Sequence, residues 1–175
     1  MSTNILVLLN NNKVVGHSTD TVFGLIAKVK KENIEKINLI KERDIDQPLQ
    51  ILFNKLEDAL EVIHIDNETK LYLKKKLRND TSYIVKVKNE FKNKYLLDSF
   101  VGTIMFRIPT GEIQKILKET KMVFATSANK TGEPPISNLT EFKKVFPKLD
   151  GAGRGQSKKS SRIIDLTNDK KLIRE

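Results

Sequence analysis

Two hydrophobic patterns interleave along the whole chain. Short apolar runs predict buried strands at 14–18, 25–29, 49–53, 82–87, 103–108, 122–125, 163–166 and 172–174. Apolar residues spaced three or four apart predict helices between them, at 32–41, 56–62, 68–77, 111–120 and 139–146. Strands alternate with helices, which indicates the α/β class, and several connections are too short for helical crossovers, which favours a mixed sheet.

Length and composition indicate one domain over residues 1–175. Of the 175 residues, 38% are hydrophobic, which supports one packed core and hardly two. No apolar run approaches the roughly 20 residues that span a bilayer, and residues 1–13 lack the features of a secretory signal. Cysteine is absent and there are 2 histidines, which excludes thiolate chemistry and argues against a histidine metal site. We therefore expect a cytoplasmic protein that has no membrane segment and no metal ligands of its own.

The charge balance favours anionic partners. Lysine and arginine number 32 against 22 acidic residues, a net charge of +10 that suits nucleotides, phosphates or RNA. Lysine supplies 26 of these cations and asparagine is also frequent, so a compositional bias explains the excess equally well. Because the planar guanidinium group binds phosphate and carboxylate through two hydrogen bonds, the arginines indicate candidate binding residues better than the lysines do. They are Arg43, Arg78, Arg107, Arg154, Arg162 and Arg174.

Four stretches place polar residues at the ends of apolar strands, where open α/β sheets bind ligands. They are residues 18–25, 41–49, 106–109 and 126–132. Structural explanations exist for three of them: helix capping for the first, a helix C-terminus for the second and an Asn-Gly-type turn for the fourth. Arg107 inside a strand is costly unless it is paired or faces a ligand cleft. Residues 151–161, rich in glycine and serine, predict an exposed or ligand-covered loop.

Together these stretches resemble the YrdC-like threonylcarbamoyl-adenylate synthases. The motifs of that family are Pro-Thr-Asp/Glu-Thr-Val-Tyr/Phe-Gly-Leu, Lys-x-Arg with a following Pro-Leu, Val-Arg-x-Pro, Thr-Ser-Ala-Asn-x-Ser-Gly, Ser-Thr-Ile-Val-Asp and a closing Leu-Arg. They match, in the same order, residues 18–25, 41–49, 106–109, 126–132, 161–165 and 173–174. Each motif alone is of moderate specificity, whereas the ordered set is highly specific.

Three positions depart from the family pattern. Ser18 stands at a family proline, Arg162 stands at a family threonine, and Arg78-Asn79-Asp80 replaces a Pro-Gly-Pro turn. Asparagine and aspartate also form turns, so an intact site is compatible with the last change. The same change is compatible with a weakened site, or with a regulatory or scaffold subunit.

The resemblance implies a twisted mixed open sheet, flanked by helices and carrying a basic concave face. It implies an enzyme that makes threonylcarbamoyl-adenylate and pyrophosphate from ATP, L-threonine and bicarbonate, for modification of the tRNA adenosine next to the anticodon. Mg²⁺ would accompany ATP, and the implied partners are tRNA and the machinery that transfers the threonylcarbamoyl group. Phosphoryl transfer depends on positioning and charge neutralisation, so the lack of cysteine is no obstacle.

The resemblance also implies residue roles. The catalytic cations would be Lys41 and Arg43. The threonine-binding residues would be Thr21, Arg107 and Ser161. The nucleotide-binding residues would be Lys41, Arg43, Ser127, Asn129 and Arg174. We further expect Lys41 and Arg43 to be exposed, and Leu172 and Ile173 to anchor the tail through apolar contacts.

The alternative function is a non-catalytic module of the same fold that binds double-stranded RNA or tRNA. Its contacts would come from the lysine-rich helix at 68–77 and the residue after it, namely Lys70, Lys74, Lys75, Lys76 and Arg78. Aromatic residues amount to 6% and do not interleave with lysines, which argues against base stacking.

Overall fold

The computed structural model describes residues 2–44, 49–100, 102–130, 132–154 and 159–175. Its helices are α1 (Ser2–Asn10), α2 (Lys31–Ile40), α3 (Leu56–Leu60), α4 (Asn67–Lys76), α5 (Asn89–Tyr95), α6 (Ile113–Thr120) and α7 (Leu139–Val145). Its strands are β1 (Val15–Ser18), β2 (Phe23–Ala27), β3 (Gln50–Phe53), β4 (Ile63–His64), β5 (Thr81–Val87), β6 (Thr103–Arg107), β7 (Met122–Ser127), β8 (Gly151–Ala152), β9 (Arg162–Asp165) and β10 (Lys171–Arg174). No helix among these residues is long and apolar enough to cross a membrane.

The strands form one mixed sheet in the order β10-β9-β5-β6-β3-β7-β2-β1-β8, and β4 pairs with β5 outside this path. The pairs β3–β6, β5–β9 and β1–β8 are parallel, whereas the other neighbouring strands are antiparallel. The predicted α/β class and mixed open sheet are therefore confirmed.

The pleat of the sheet separates two apolar clusters. Ile51 pairs with Phe106 and Phe124, and these side chains belong to the larger cluster, under α2, α3, α4, α5 and α7. The next residue of β3, Leu52, pairs with Arg107 and Val123 and faces the opposite side. There a smaller cluster receives apolar side chains from α1 and α6.

Polar side chains occupy this second face beyond the two helices. The pairing registers place Gln50, Ser82, Arg107 and Ser127 on the same side of the sheet as the smaller cluster. The same face is thus apolar where α1 and α6 cover it and polar elsewhere. This polar part carries the candidate site.

Four elements were not predicted: α1, α5, β4 and β8. The expectation of a loop over 151–161 is wrong at its start, because Gly151 and Ala152 pair in parallel with Gly16 and His17 of β1. Such a two-residue strand lacks any hydrophobic pattern, and only its neighbour in the sheet defines it. Strand β2 covers residues 23–27 rather than the predicted 25–29, because its first residues are paired with Ser127 and Ala128.

Candidate active site

Lys41 lies directly after α2, whose Ile34 and Ile37 are buried against the sheet. This packing carries the lysine beneath the end of β7. Its Nζ donates to the carbonyl oxygens of Ser127, at 2.5 Å, and Asn129, at 2.7 Å. Lys41 therefore meets two other predicted site residues, Ser127 and Asn129, which lie 86 and 88 positions away in sequence. We call Lys41, Arg43, Ser127 and Asn129 the cation corner.

The two cations of this corner are buried together. Lys41 is 4% exposed, and burial followed by the charge of Arg43 lowers the pKa of Lys41 to about 8. Arg43 is half-buried, its Nε donates to Asn38 Oδ1 at 2.7 Å, and burial lowers the pKa of Arg43 as well. The expectation that Lys41 and Arg43 are exposed is therefore wrong. The buried face of α2 continues as far as Asn38, in its last turn, which draws the following residues under the sheet edge.

The corner also contains polar atoms without a hydrogen-bond partner among the described residues. They are the Nη2 donor of Arg43 and the Oδ1 acceptor of Asn129, and both are buried. The amide nitrogen of Asn129 donates to the carbonyl oxygens of Lys130 and Glu133, which shapes the turn after β7. Buried polar atoms without partners are rare, and they mark places where a ligand can complete the hydrogen bonding. Pro48 and Thr131 of the matched motifs lie outside the described residues.

Arg107 lies at the end of β6, is 2% exposed, and forms hydrogen bonds through both of its terminal guanidinium nitrogens. Its Nη1 contacts Asp20 Oδ1 at 2.5 Å and the carbonyl of Asn79 at 3.0 Å, and its Nη2 donates to Thr21 Oγ1 at 3.1 Å. The predicted neighbours Arg107 and Thr21 thus meet. Sequence reasoning missed Asp20 as the partner of the arginine, although a buried strand arginine demands a carboxylate and Asp20 lies within the first motif.

The turn that carries Thr21 joins β1 to β2, so its hydroxyls do not cap a helix. Thr19 Oγ1 donates to the carbonyl of Val22 at 2.7 Å and accepts from the backbone nitrogen of Thr21 at 3.2 Å. Asp20 Oδ2 accepts from the backbone nitrogen of Thr110 at 2.8 Å. Successive hydroxyls and one carboxylate therefore hold this turn against the exit of β6.

The residues that replace the family Pro-Gly-Pro form a hydrogen-bonded turn before β5. Arg78 and Asp80 are joined by an exposed ion pair of 2.8 Å, and hydrogen bonding from Arg78 lowers the pKa of Asp80 to about 2. Asn79 Nδ2 donates to the carbonyl of Ile108 at 2.9 Å, while the Asn79 carbonyl accepts from Arg107. The side chain of Asn79 and the ion pair thus stabilise the turn. The carbonyl of Asn79 at the same time holds Arg107 in place.

Ser161 and Arg174 meet at a third point. Arg174 donates through Nε and Nη2 to the carbonyl of Ser161, at 2.9 and 2.7 Å. The hydroxyl of Ser161, which is buried, lies 2.8 Å from that of Ser82, and Ser82 in turn contacts Gln50. Ser82 and Gln50 are polar residues that sequence reasoning did not single out. Gln50 interrupts an apolar run between Leu49 and Ile51, which is a sequence signal, whereas Ser82 follows the polar Thr81 and gives no such signal.

The tail forms the predicted short strand, β10, which pairs antiparallel with β9. The expected apolar anchor is wrong, since Leu172 is 44% and Ile173 51% exposed. The backbone ladder and the fork of Arg174 hold the strand instead. No hydrogen bond among the described residues joins Arg174 to the cation corner.

A cavity of about 470 Å³ adjoins the turn that carries Thr21 and the turn before β5. Its lining residues are Asp20, Thr21, Asp80, Lys159, Ser160, Arg162 and Glu175. Both signs of charge are present, which suits a small zwitterion better than a purely anionic or apolar molecule. No group of three or more acidic or histidine side chains that could hold a metal ion occurs in the described part of the chain.

The lysines predicted for RNA contact are exposed on α4. The exposed residues of this helix include Lys70, Lys74, Lys75 and Lys76. Its buried residues are Thr69 and Leu73. Arg78 beyond the helix is paired with Asp80. This lysine surface is distinct from the cation corner, because its residues make no described hydrogen bond to it.

Comparison with known proteins places these motifs in context. The model of the Sua5/YciO/YrdC family, described as telomere recombination, matches residues 7–175. A threonylcarbamoyl-AMP synthase of Haemophilus influenzae strain PittEE is 30% identical over 168 residues, 90% of each chain. That of Actinobacillus succinogenes is 30% identical over 183 residues, covering 99% of this chain and 98% of the relative.

Solved structures show the same fold. E. coli YciO matches with a TM-score of 0.85 and 23% identity over 99% of this chain and 88% of its own. P. abyssi Sua5 complexed with L-threonine matches with a TM-score of 0.80 and 24% identity over 95% of this chain, which spans about half (51%) of Sua5. At these identities the likeness concerns the fold.

Proposed function

This chain is a member of the Sua5/YciO/YrdC family, and from that premise we propose that it is an L-threonylcarbamoyladenylate synthase. In the proposed reaction, L-threonine and bicarbonate give N-carboxythreonine. A carboxylate oxygen of this intermediate attacks the α-phosphorus of ATP, the bond from that phosphorus to the bridging oxygen breaks, and pyrophosphate leaves. The tRNA threonylcarbamoyl-transfer machinery would consume the product.

One observation carries the proposal: the cation corner buries two like charges side by side. Lys41 is 4% exposed, and its pKa falls to about 8 next to Arg43. Such an arrangement is unfavourable by itself and becomes favourable when an anion enters. The triphosphate of ATP is an anion of suitable charge, and the pyrophosphate that leaves carries the charge that the two cations would neutralise.

The second subsite is proposed to hold threonine. Beside the cavity with both signs of charge, Thr21 presents its hydroxyl to Arg107, whose Nε is buried without a hydrogen-bond partner in the described structure. Arg107 Nη1 already donates to Asp20 and to the carbonyl of Asn79. A bidentate pairing with the threonine carboxylate would therefore use Nε and Nη2 of the same guanidinium group. Ser161 would complete this subsite.

Magnesium enters the proposal only with ATP. Mg²⁺ keeps several water ligands and is commonly bound by substrate phosphates with one or two carboxylates. Two carboxylates of the matched motifs are engaged within the protein, Glu42 with Lys130 at 2.6 Å and Asp20 with Arg107. The fit therefore favours MgATP held through its phosphates by Lys41 and Arg43.

The decisive experiment measures pyrophosphate release from ATP in the presence of L-threonine and bicarbonate. We expect release that requires both co-substrates, with threonine preferred over serine and serine over valine, because a pocket that hydrogen-bonds a hydroxyl rejects analogues that lack it. Equal turnover of valine would contradict the threonine assignment. Absence of any threonine-dependent release from the folded protein would contradict the enzyme assignment.

The second candidate function is RNA binding through the lysine surface of α4, which is exposed as this role requires. It predicts salt-dependent binding of a tRNA or an RNA duplex that weakens when Lys74 and Lys75 are changed to glutamate. Binding of RNA without pyrophosphate release would identify the non-catalytic module. Neither activity would identify a regulatory or scaffold subunit.

A further inference from the structure

Three separate segments converge on one exposed carboxylate, that of Glu112. Its Oε2 accepts from the hydroxyl of Ser18 at 3.3 Å and from the backbone nitrogen of Arg154 at 2.8 Å. Ser18 ends β1, Arg154 follows β8, and Glu112 itself immediately precedes α6. We call Ser18, Glu112 and Arg154 the Glu112 clamp.

The segments are also in direct backbone contact at Gly153. This glycine has a φ of +104°, and a Cβ atom there would lie 2.8 Å from the backbone nitrogen of Ser18 and would collide with its side chain. Only glycine permits both the conformation and the approach. Ser18 stands where the family motif has proline, so its hydroxyl adds a donor that the motif residue lacks.

Segments that the Glu112 clamp joins also carry residues of the candidate site. Ser18 begins the turn that carries Thr21, and Glu112 follows the exit of β6, which carries Arg107. Arg154 follows β8, and residues 155–158 beyond it lie outside the described residues. Asp20 makes a parallel connection, since its carboxylate binds Arg107 and the backbone of Thr110.

We propose that Glu112 is a positioning residue that holds the exits of β1, β6 and β8 together, so that Thr21 and Arg107 face one ligand. The role rests on the proposed function where the ligand is threonine. Its physical basis is that a carboxylate oxygen shared by two donors restricts both: removal of the carboxylate releases both contacts, whereas removal of the Ser18 hydroxyl releases only its own. The clamp touches no proposed nucleotide contact, so it acts on threonine rather than on ATP.

The kinetic test uses Glu112→Ala, Ser18→Ala and the double variant. We expect each single change to raise the KM for threonine about threefold to tenfold, the range for a partly exposed hydrogen bond to a charged group, with the KM for ATP unchanged. The double variant should add little to Glu112→Ala. Glu112→Gln, which keeps an acceptor oxygen, should retain much of the wild-type KM. The control is Glu119→Ala, an exposed residue of α6 without a described contact, which should behave as wild type.

A second readout does not depend on catalysis. Trypsin cleavage after Arg154 should be faster in Glu112→Ala than in wild type or Glu119→Ala, because the Glu112 carboxylate accepts from the backbone nitrogen of Arg154. Unchanged cleavage in Glu112→Ala would overturn the proposal, as would an effect on the KM for ATP equal to that on threonine. If wild type lacks threonine-dependent release, the proposed function fails, and the cleavage rates still decide whether the clamp exists.

Discussion

Lys41 and Arg107 are both almost completely buried cations, yet they are compensated differently. Arg107, 2% exposed, faces the carboxylate of Asp20 at 2.5 Å. Lys41, 4% exposed, donates to two neutral carbonyl oxygens, and its surroundings lower its pKa to about 8. Asp20 pairs with the charge of Arg107, whereas burial and the nearby charge of Arg43 lower the pKa of Lys41.

The difference separates a cation that supports the fold, in addition to its proposed contact with threonine, from a receptive cation, whose charged form an entering anion would stabilise. Removing one partner of a buried ion pair is strongly destabilising, because the other charge stays buried. A buried lysine whose pKa is lowered by burial and by a neighbouring cation gains when an anion arrives, because the anion favours the charged form. We therefore expect the loss of Arg107 to affect stability most and the loss of Lys41 to affect mainly the reaction, and the following changes test this division.

Arg107→Met should have the largest effect. The change leaves the Asp20 carboxylate, whose side chain is 13% exposed, without its cation. The free energy of unfolding should fall by about 3–5 kcal/mol, measured by urea denaturation. Adding Asp20→Asn should recover part of the loss, since the second change removes the stranded charge. A loss below about 1 kcal/mol would show that the pair contributes no more than an exposed ion pair does.

Lys41→Met should have the next largest effect, on the reaction rather than on the fold. Transition-state stabilisation should fall by about 2–4 kcal/mol, measured as kcat/KM of pyrophosphate release, and Arg43→Ala should give a similar loss. The free energy of unfolding should change by only about 1–2 kcal/mol, because two carbonyl groups lose a donor while a buried charge is removed. The control is Lys130→Met, which removes an exposed ion pair with Glu42. A normal rate in both Lys41→Met and Arg43→Ala would exclude the cation corner from the site.

Arg174→Ala tests which of the two regions the tail serves. We expect the affinity for ATP, measured by calorimetry, to weaken by about 1–3 kcal/mol, with Arg174→Lys recovering only part because an ammonium cannot reproduce the fork. Its described partner is the carbonyl of Ser161, so a loss of threonine affinity alone would place the tail with Arg107 instead. Lys171→Ala, at the exposed start of β10, is the matched control.

The smallest effect concerns pH. Because the pKa of Lys41 falls from its ordinary 10.5 to about 8, ATP affinity should decrease as pH rises through about 8. The unfolded chain binds more protons than the folded one between these two values, so the free energy of unfolding should rise with pH across that interval. Lys41→Met should remove both dependences, whereas Arg107→Met should leave them. A pH-independent ATP affinity from pH 7 to 9.5 would contradict the receptive role of Lys41.

Much of the fold was predictable because hydrophobic periodicity is a local property. The strands around Ile51, Phe106 and Phe124 are apolar runs with turn residues at both ends, so each was found within a few residues of its position. Helix α2 shows the same for the spacing of Ile34 and Ile37. The resemblance to the family assigned both Thr21 and Arg107 to threonine binding, and the two side chains do contact each other.

Other features were decided only by the tertiary structure. The acceptors of Lys41 are backbone carbonyls 86 and 88 positions away, and a carbonyl carries no signature in the sequence. Asp20 and Arg107 are 87 positions apart, so their ion pair depends on how the sheet brings the turn after β1 to the exit of β6. Strand β8 is likewise defined by its pairing with β1, and a Cβ atom at the adjacent Gly153 would collide with Ser18. Long-range contacts and burial, which set the charge state of Lys41, are properties of the folded chain rather than of any segment.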